Sequence, residues 1–364
     1  MDHISELGKS LNEYFSWNKA RMSCFVQMLL SLFVTRTVNL NQLAAVASGK
    51  AEQLSKYRRM QRFFEKFTID FGMIAGFIFQ LFFSSGGKWQ LTMDRTNWKW
   101  GKSNINILML GIVYKGAAIP IFWELLDKRG NSDTAERIAL IERFITKFGK
   151  GSISDLLCDR EFIGKDWFCW LKKEEIPFCI RIKNNTVTTD ALGKKAWMDT
   201  LFYGLKPGEQ RTLKGKYKVT GAWVFLTALR LSDGELLIVA TDRATDDGIK
   251  RYAARWEIET LFGCLKGRGF NFEDTHITEM ARIKKLMALL AIAFAWAHKT
   301  GEWRSEIKPI KIKKHGRPAV SIFRLGLDYI SSAVVNAFSK LEPIKNCLNI
   351  IGIHSKERPI GVTG

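Results

Sequence analysis

Three consecutive β-like segments decide the fold of this chain: WQLTMDRT (Trp89–Thr96), INILMLGIVY (Ile105–Tyr114) and AAIPIFWELL (Ala117–Leu126). Lys115-Gly116 separates the last two segments and is typical of a hairpin turn. A short apolar run flanked by turn residues, ISDLLC (Ile153–Cys158), then has the composition of a strand buried on both faces. These segments predict a sheet with a buried central strand.

Helical segments alternate with the later strands. Ser132–Phe148 begins with a Ser or Asp cap and ends at Gly149, and Trp167–Lys173 is also predicted to be helical. Phe178–Ile182 is a further strand. The order βββ-α-β-α-β indicates an α/β fold, namely a ribonuclease-H-like mixed sheet flanked by helices.

A pair of short helices is predicted near the start of the chain. Asn39–Gly49 (NLNQLAAVASG) is a short helix ended by glycine, and Lys50–Lys66 follows with six basic and two acidic residues. Two short helices of which the second is basic suggest a helix-turn-helix-like DNA reader, with Arg58, Arg59 and Arg62 on the DNA. The alternative is that these arginines form a solvated helix face.

Composition and periodicity divide the chain into four predicted regions. They are an all-helical DNA-binding domain (residues 1–85), the α/β core (86–183 and 242–300), a β-rich insertion (184–241), and a basic linker with a C-terminal helical region (301–364). The linker is predicted to be a flexible connection to a final helix that begins near Ser321.

The charge of the chain favours a polyanionic partner. Lysine and arginine outnumber aspartate and glutamate by 56 to 36, which gives a formal net charge of +20. Nucleic acid is the commonest partner of such basic proteins, and ribosome association, an anionic membrane or a merely basic surface are the alternatives. The N-terminus lacks the pattern of a signal peptide, and two apolar runs, Phe71–Phe83 and Leu286–Ala297, are too short to cross a bilayer. We expect a cytoplasmic, nucleoid-associated protein that binds DNA.

The six cysteines suggest neither disulfides nor a zinc site. They have no CxxC spacing and no zinc-like spacing to the five histidines, which fits a reducing compartment. Cys158, Cys169 and Cys179 lie in apolar stretches and are predicted to be buried in the core.

Two aspartates occupy strand positions where a carboxylate is unexpected. Asp94 lies inside LTMD, and Asp159 immediately follows the apolar residues LLC. A buried, unpaired carboxylate is costly unless a cation lies nearby, and hard cations prefer oxygen ligands. Both residues are therefore candidate Mg²⁺ ligands. The alternative is a salt bridge to Arg95 or Arg160, or an aspartate that serves a turn.

A polar stripe is predicted on a helix over Arg251–Gly267 (RYAARWEIETLFGCLKG). Spacings of three, four and seven residues place four polar side chains on one face: Tyr252, Arg255, Glu259 and Lys266. The opposite face is apolar and consists of Ile258, Leu261, Phe262 and Leu265. The two cations suit phosphate binding. The alternative is an ordinary amphipathic helix in which Arg255 pairs with Glu259.

These residues also resemble a known family. Tyr252-x2-Arg255-x3-Glu259-x6-Lys266 is similar to the Y-(2)-R-(3)-E-(6)-K signature of DDE transposases of the insertion-sequence-four type. MDRTNWKWG around residue 94 and CDREF around residue 159 resemble the first and second aspartate motifs of that family. The resemblance covers about residues 20 to 335 in the expected order and includes an insertion between the second aspartate and the glutamate.

The resemblance implies a cut-and-paste DNA transposase. Asp94, Asp159 and Glu259 would be its catalytic, metal-binding triad, with two Mg²⁺ ions, or Mn²⁺ in their place, roughly 3.5–4 Å apart at the scissile phosphate. The other three signature residues would bind the DNA strand near the transposon end. A homodimer would excise the element at its terminal inverted repeats, through nicks and hairpins, and join it to target DNA.

Three tryptophans are further candidates for DNA contact. Trp256 lies about 40° round the predicted helix from Tyr252 and is expected near the DNA, although a core position is the alternative. In some relatives a tryptophan of the insertion stabilises a flipped base, and either Trp197 or Trp223 could serve here.

Two other functions remain open from the sequence. One is a ribonuclease-H-like DNA endonuclease without joining activity, and the other is a catalytically silent DNA-binding protein. The presence of all three carboxylates together with the complete polar stripe argues against the silent protein.

Overall fold

The computed structural model describes residues 3–83, 86–314, 316–337 and 341–352. The helices are α1 (His3–Phe15), α2 (Lys19–Thr35), α3 (Leu40–Val46), α4 (Gln53–Lys66), α5 (Phe71–Phe82), α6 (Thr134–Phe148), α7 (Lys165–Lys173), α8 (Met198–Leu201), α9 (Gly248–Ala253), α10 (Trp256–Leu265), α11 (Met280–Ile307), α12 (Ile322–Val335) and α13 (Leu341–Ile351). The strands are β1 (Trp89–Trp100), β2 (Ser103–Tyr114), β3 (Ala117–Leu125), β4 (Ile153–Cys158), β5 (Phe178–Ile182), β6 (Val187–Thr189), β7 (Lys195–Trp197), β8 (Gln210–Thr212), β9 (Tyr217–Val219), β10 (Ala222–Arg230) and β11 (Leu236–Thr241).

The described chain forms two compact units. The helical unit comprises the described parts of Met1–Ser85, Asn97–Ile105 and Leu261–Gly364, and the sheet unit comprises Gly86–Thr96 and Asn106–Thr260. The predicted core range 242–300 is thus divided after Thr260. The division arises because α11 packs against α2, α5 and α12 within the helical unit.

The sheet unit contains one mixed sheet in the order β3-β2-β1-β4-β5-β11-β10-β9-β6-β7, with β8 paired to β10. The central strands β1, β4 and β5 are parallel neighbours, whereas β2–β3, β5–β11 and β10–β11 are antiparallel. The predicted mixed-sheet α/β fold is therefore confirmed. Six of the strands, β6 to β11, come from the range predicted as a β-rich insertion, and β10 and β11 extend the sheet beyond β5.

Local sequence explains two of the connections in the sheet unit. Lys115 and Gly116 both have positive φ, 47° and 90°, as the tight turn between β2 and β3 requires. Helix α6 begins with a capping box, in which the Asp133 side chain accepts from the amide of Glu136 and the Glu136 side chain accepts from the amide of Asp133. It ends at Gly149, whose φ is 82°.

The helical unit includes α3 and α4, the predicted helix pair, which pack against each other. The apolar run at residues 286–297 lies inside α11 and is fully buried. The prediction of a flexible linker was wrong in two respects. Helix α11 continues to Ile307, and the following residues form a short hairpin closed by a bridge between Ile312 and Pro318. Helix α12 begins directly after its cap Ser321, at the position predicted for the final helix. It is not the final helix, however, because α13 follows it.

The cysteines differ from the prediction at one position. All six are free, and Cys158 and Cys179 are buried as predicted. Cys169 is exposed instead, because α7 turns Trp167, Phe168 and Leu171 toward the interior and leaves position 169 on its outer face.

Among the described residues, no single helix is both long and apolar enough to cross a membrane. Within the described ranges, α2 and α3 taken together, bent by 95° at their junction, meet that criterion by length and composition.

Candidate active site

Two parallel strands bring the predicted aspartates together. Met93 of β1 lies opposite Cys158 of β4, so Asp94 and Asp159, the next residue along each chain, are neighbours at the same edge of the sheet. Asp94 lies within β1, and Asp159 directly follows β4. The sheet thus forms one half of the site from residues that are 65 positions apart in the chain.

Arg255 connects this pair to the predicted glutamate. Its Nη1 atom donates to Asp94 Oδ2 at 2.9 Å, and its Nη2 atom donates to Glu259 Oε1 at 2.6 Å. The i,i+4 pair of an ordinary amphipathic helix is therefore present, but the same guanidinium also reaches the strand. Arg255 is 2% exposed, with its charged group between the Tyr252 and Trp256 rings at 5.5 and 5.2 Å from their centroids. Three of the four predicted stripe residues belong to one cluster with Asp94.

The predicted continuous helix over Arg251–Gly267 is wrong. Helix α9 ends at Ala253, and α10 begins only at Trp256. Tighter i→i+3 hydrogen bonds join them, including one from the amide of Arg255 to the carbonyl of Tyr252 at 2.9 Å. The tightened turn coincides with the burial of the Arg255 side chain against Asp94, a contact that an exposed helical stripe would not make.

Helix α9 is attached to the face of β4 by two polar contacts. The hydroxyl of Tyr252 donates to Asp159 Oδ1 at 2.9 Å, and Arg251 Nε donates to Asp155 Oδ2 at 2.7 Å. Between these contacts, Tyr252 packs in a buried cluster with Leu157 of β4. Asp155 and Asp159 are four residues apart and are therefore expected on the same face of β4 and its extension, so the consecutive residues Arg251 and Tyr252 attach α9 to the strand at two points.

We expect Asp155→Asn to lower the free energy of unfolding by about 3 kcal/mol, because it leaves a mostly buried Arg251 guanidinium without its counter-charge. The two side chains are 3% and 12% exposed. Glu174→Gln is the matched control, since Glu174 forms a longer, more exposed pair with Lys150 at 3.7 Å and should change stability by less than about 1 kcal/mol. Urea unfolding of both variants measures the difference, and equal losses would contradict a supporting role for Asp155.

The arginines beside the two aspartates are not their salt-bridge partners. Arg95 forms two 3.1 Å hydrogen bonds with the Glu161 carboxylate, and a third bond from Arg95 Nη1 reaches Asn106 Oδ1 at 2.9 Å. Arg160 lies 3.8 Å from Glu235. The sequence alternative of a local Asp94–Arg95 or Asp159–Arg160 pair was therefore wrong. Arg95 and Glu161 instead connect the two aspartate motifs through their own side chains.

Glu257, which the sequence reasoning did not single out, has a structural role. Its two carboxylate oxygens accept from the backbone amides of Tyr114 and Gly116 at 2.6 and 2.9 Å. This contact attaches the start of α10 to the β2–β3 turn, two residues before Glu259. The signals available in the sequence were the Lys115-Gly116 turn and a second acidic residue on the predicted helix, but nothing in the sequence related them to each other.

Burial and charge act differently on the two aspartates. Burial raises the pKa of Asp94 to about 7, against the opposing effects of Arg255 and of the Arg95 amide. Burial also acts to raise the pKa of Asp159, but the Arg160 amide, Arg255 and the Tyr252 hydroxyl outweigh it, so that pKa is lowered. An additional cation beside Asp94 would therefore favour its ionised form.

The donor set fits a hard divalent cation in its chemistry. Asp94, Asp159 and Glu259 offer only carboxylate oxygens, which Mg²⁺ and Mn²⁺ prefer, and Asp94 is under-compensated by the cations around it. Within the described ranges, however, no group of three His, Cys, Asp or Glu side chains is arranged so that it could hold a metal ion. Arg255 lies between two of the three carboxylates, so it contacts the oxygens that a metal would need.

The remaining predicted DNA contacts lie elsewhere. Lys266 belongs to the helical unit, where its Nζ lies 2.8 Å from Glu273 Oε1 and 5.3 Å from the centroid of the Trp98 ring. Trp256 is 58% exposed, so the alternative of a core tryptophan was wrong, and its contact with DNA stays a prediction. On α4, Arg58 and Arg62 are exposed, whereas the half-buried Arg59 donates to the carbonyl of Ala20.

Both insertion tryptophans lie on one exposed sheet face. Trp197 of β7 pairs with Val187 of β6, Thr189 of β6 pairs with Lys218 of β9, and Lys218 pairs with Trp223 of β10. Residues 187 and 189 share a face of β6, so the two tryptophans do as well. They are 53% and 40% exposed, and both remain candidates for stacking on a base.

Comparison with known proteins gives the family of the chain. A family model described as a transposase DDE domain matches residues 83–296. Among solved structures, the chain is similar to a piggyBac transposase in a synaptic complex with hairpin DNA, at 13% identity and a TM-score of 0.48 over 99% of this chain and 84% of that chain. It is also similar to the catalytic domain of human Endonuclease V, at 14% identity and a TM-score of 0.29 over 66% of this chain and 100% of that chain. No curated protein matches its sequence.

The assignment depends on the family model rather than on the structural likenesses. The matched range contains Asp94, Asp159 and Glu259 and extends over more than half of the 364 residues. The chain therefore belongs to the transposase DDE domain family.

Proposed function

We propose that this protein is a DNA transposase of the insertion-sequence-four type, which excises an element at its terminal inverted repeats and joins it to target DNA. The observation that carries the proposal is the Arg255 cluster, in which one buried guanidinium bonds Asp94 and Glu259 beside Asp159. The spacing of Tyr252, Arg255, Glu259 and Lys266 supports the subtype.

Asp94, Asp159 and Glu259 would hold two divalent ions, Mg²⁺ or Mn²⁺. When bound, such ions activate the attacking oxygen and stabilise the leaving oxygen of an in-line phosphoryl transfer. The chain itself supplies carboxylates on two strand ends and one helix. The Arg251 and Glu257 contacts position that helix and its neighbour α9.

Arg255 and Tyr252 have two sets of possible partners in this function. Without DNA, Arg255 bonds Asp94 and Glu259, and Tyr252 donates to Asp159. A DNA phosphate is an alternative partner for the same guanidinium, which can bond an anion through two N–H groups. We infer that Arg255 exchanges the carboxylates for phosphate when the DNA strand binds. The exchange frees carboxylate oxygens only when substrate is present.

The charge of the chain supports DNA as the partner, and a formal net charge of +20 favours association with a polyanion. A homodimer that pairs both ends of one element is part of the proposal. So is the division into a helical DNA-binding domain at residues 1–85, a ribonuclease-H-like catalytic core, a β-rich insertion and a C-terminal region. A cytoplasmic, nucleoid-associated location follows from DNA as the substrate.

Two assays on the purified chain test the proposal. The first is Mg²⁺-dependent nicking of duplexes that carry the element's ends, and the second is joining of pre-cut ends to a target plasmid. We expect both activities. Nicking without joining would favour the ribonuclease-H-like endonuclease, and end binding without either reaction would favour the catalytically silent DNA-binding protein.

Arg58→Ala together with Arg62→Ala is expected to weaken binding to the element's ends roughly tenfold, because both exposed cations lie on the predicted recognition helix α4. Adding Arg59→Ala should weaken binding further, although part of that effect would be structural because Arg59 bonds the carbonyl of Ala20. The control is Lys9→Ala with Lys19→Ala, which removes the same charge from exposed positions outside α4. Gel-shift titrations compare them, and equal affinities would mean that α4 presents only a solvated face.

A further inference from the structure

The segment between α11 and α12 is an ordered hairpin rather than a loose connection. The amide of Lys313 donates to the carbonyl of Arg317 at 2.9 Å, and the amide of Ala319 donates to the carbonyl of Lys311 at 2.8 Å. A bridge between Ile312 and Pro318 lies between these two bonds. These contacts place residues 311–313 beside residues 317–319, so the basic residues of the two arms lie close together.

The charge of this hairpin has one sign. The range 308–320 contains no aspartate or glutamate, and five of its described residues are basic: Lys308, Lys311, Lys313, Lys314 and Arg317. All five are exposed. Within the described part of the chain, none of the four lysines forms a salt bridge. The four lysines on this short hairpin repel one another, and a polyanion would relieve that repulsion.

The composition of the hairpin fits phosphates better than base edges. Base pairs are read mainly by arginine, asparagine and glutamine, and the hairpin has a single arginine and neither of the two amides. Lysine is a point charge that binds phosphate oxygens without a strict geometry. Pro309 and Pro318 restrict the backbone, which lowers the entropy lost when the hairpin binds.

We propose that this basic hairpin is a phosphate-binding arm that contacts the backbone of duplex DNA independently of its sequence. The inference rests on the proposed function insofar as DNA is the partner, and it adds a contact surface outside α4 and the carboxylate site. Exposed Ile312 and Val320, at 64% and 40%, are too few to make a membrane-inserting surface of an otherwise charged segment.

The test is the salt dependence of duplex binding by the full chain and by the triple variant Lys311→Gln, Lys313→Gln and Lys314→Gln. Each lost phosphate contact should lower the slope of log K against log salt by about 0.9, so the triple variant should lose about 2 to 3 units. The loss should be the same on an element end and on an unrelated duplex, because phosphate contacts carry no sequence information. The melting temperature should not change, since all three side chains are exposed.

The matched control is Lys9→Gln, Lys147→Gln and Lys173→Gln, which removes the same charge from exposed positions elsewhere. Equal slopes for the hairpin variant and the control would overturn the inference, while leaving the proposed transposase intact if the unmodified chain binds and cuts DNA. A chain with no salt-dependent DNA binding would overturn both. Loss of binding to vesicles of anionic lipid, with duplex binding unchanged, would assign the hairpin to a membrane and also overturn the inference.

Discussion

Glu259→Gln is expected to reduce Mg²⁺-dependent nicking by on the order of a hundredfold or more, while binding to the element's ends is retained or slightly tightened. Glutamine keeps the shape and can still accept from Arg255, but it removes the negative charge that a divalent ion requires. The Glu259 side chain is 41% exposed, so the substitution should cost little stability. Removing one carboxylate also lowers the repulsion of DNA phosphates.

Nicking rates and gel-shift affinities of purified Glu259→Gln decide this expectation. Glu142→Gln on α6 is the control, because it removes an exposed carboxylate of the same unit that is not one of the three site carboxylates. Near-normal nicking by Glu259→Gln would exclude the three-carboxylate mechanism. Loss of both folding and binding would instead make Glu259 a structural partner of Arg255.

Arg255→Gln is expected to have two opposite effects, tighter binding of divalent ions without DNA and a large loss of nicking. Arg255 competes for the oxygens of Asp94 and Glu259, so its removal leaves these carboxylates to the metal ion. The protein without metal should also become less stable, because Asp94 loses the cation that partly offsets its burial. Added Mn²⁺ should therefore raise the melting temperature of Arg255→Gln more than that of the unmodified protein.

Calorimetric titration with Mn²⁺ and thermal unfolding with and without Mn²⁺ measure both effects. Arg255→Lys is the companion variant, because it keeps the charge but cannot bond two carboxylates in the fixed geometry of a guanidinium. We expect Arg255→Lys to fold, to bind Mn²⁺ with intermediate affinity and to nick poorly. If Arg255→Gln binds Mn²⁺ no more tightly than the unmodified chain, Arg255 is not a competitor of the metal. If Asp94→Asn binds Mn²⁺ normally, the ion lies elsewhere.

The local patterns of the sequence were sufficient for the core of the sheet unit. Alternation and apolar runs predicted β1 to β5, and cap residues gave both ends of α6. Asp94 and Asp159 could be singled out because one lies inside an apolar strand pattern and the other directly follows one. Such features depend on a few neighbouring residues. They arise from backbone geometry and from the burial of alternate side chains, and both act between residues that are close in the sequence.

The break between α9 and α10 could not be predicted in this way. The sequence from 251 to 267 has the periodicity of one helix, whereas the structure tightens the turn at the place where Arg255 bonds a strand residue. The roles of Glu257 and Glu259 also look alike in the sequence. One accepts from the β2–β3 turn and the other bonds Arg255, and the difference depends on which element lies opposite each carboxylate.

The sequence by itself determined the succession of strands and helices in the core, the identity of the three carboxylates as candidates and the strongly basic character of the chain. Only the tertiary structure decided that Arg255 is buried between Asp94 and Glu259, that Asp155 and Glu257 support the site, and that the segment after α11 is a hairpin. The reason is physical. Periodicity and capping depend on residues that are close in the sequence. The partner of a buried charge is instead a distant residue that folding brings within hydrogen-bonding distance. Such a partner is needed because leaving a buried charge unpaired is too costly.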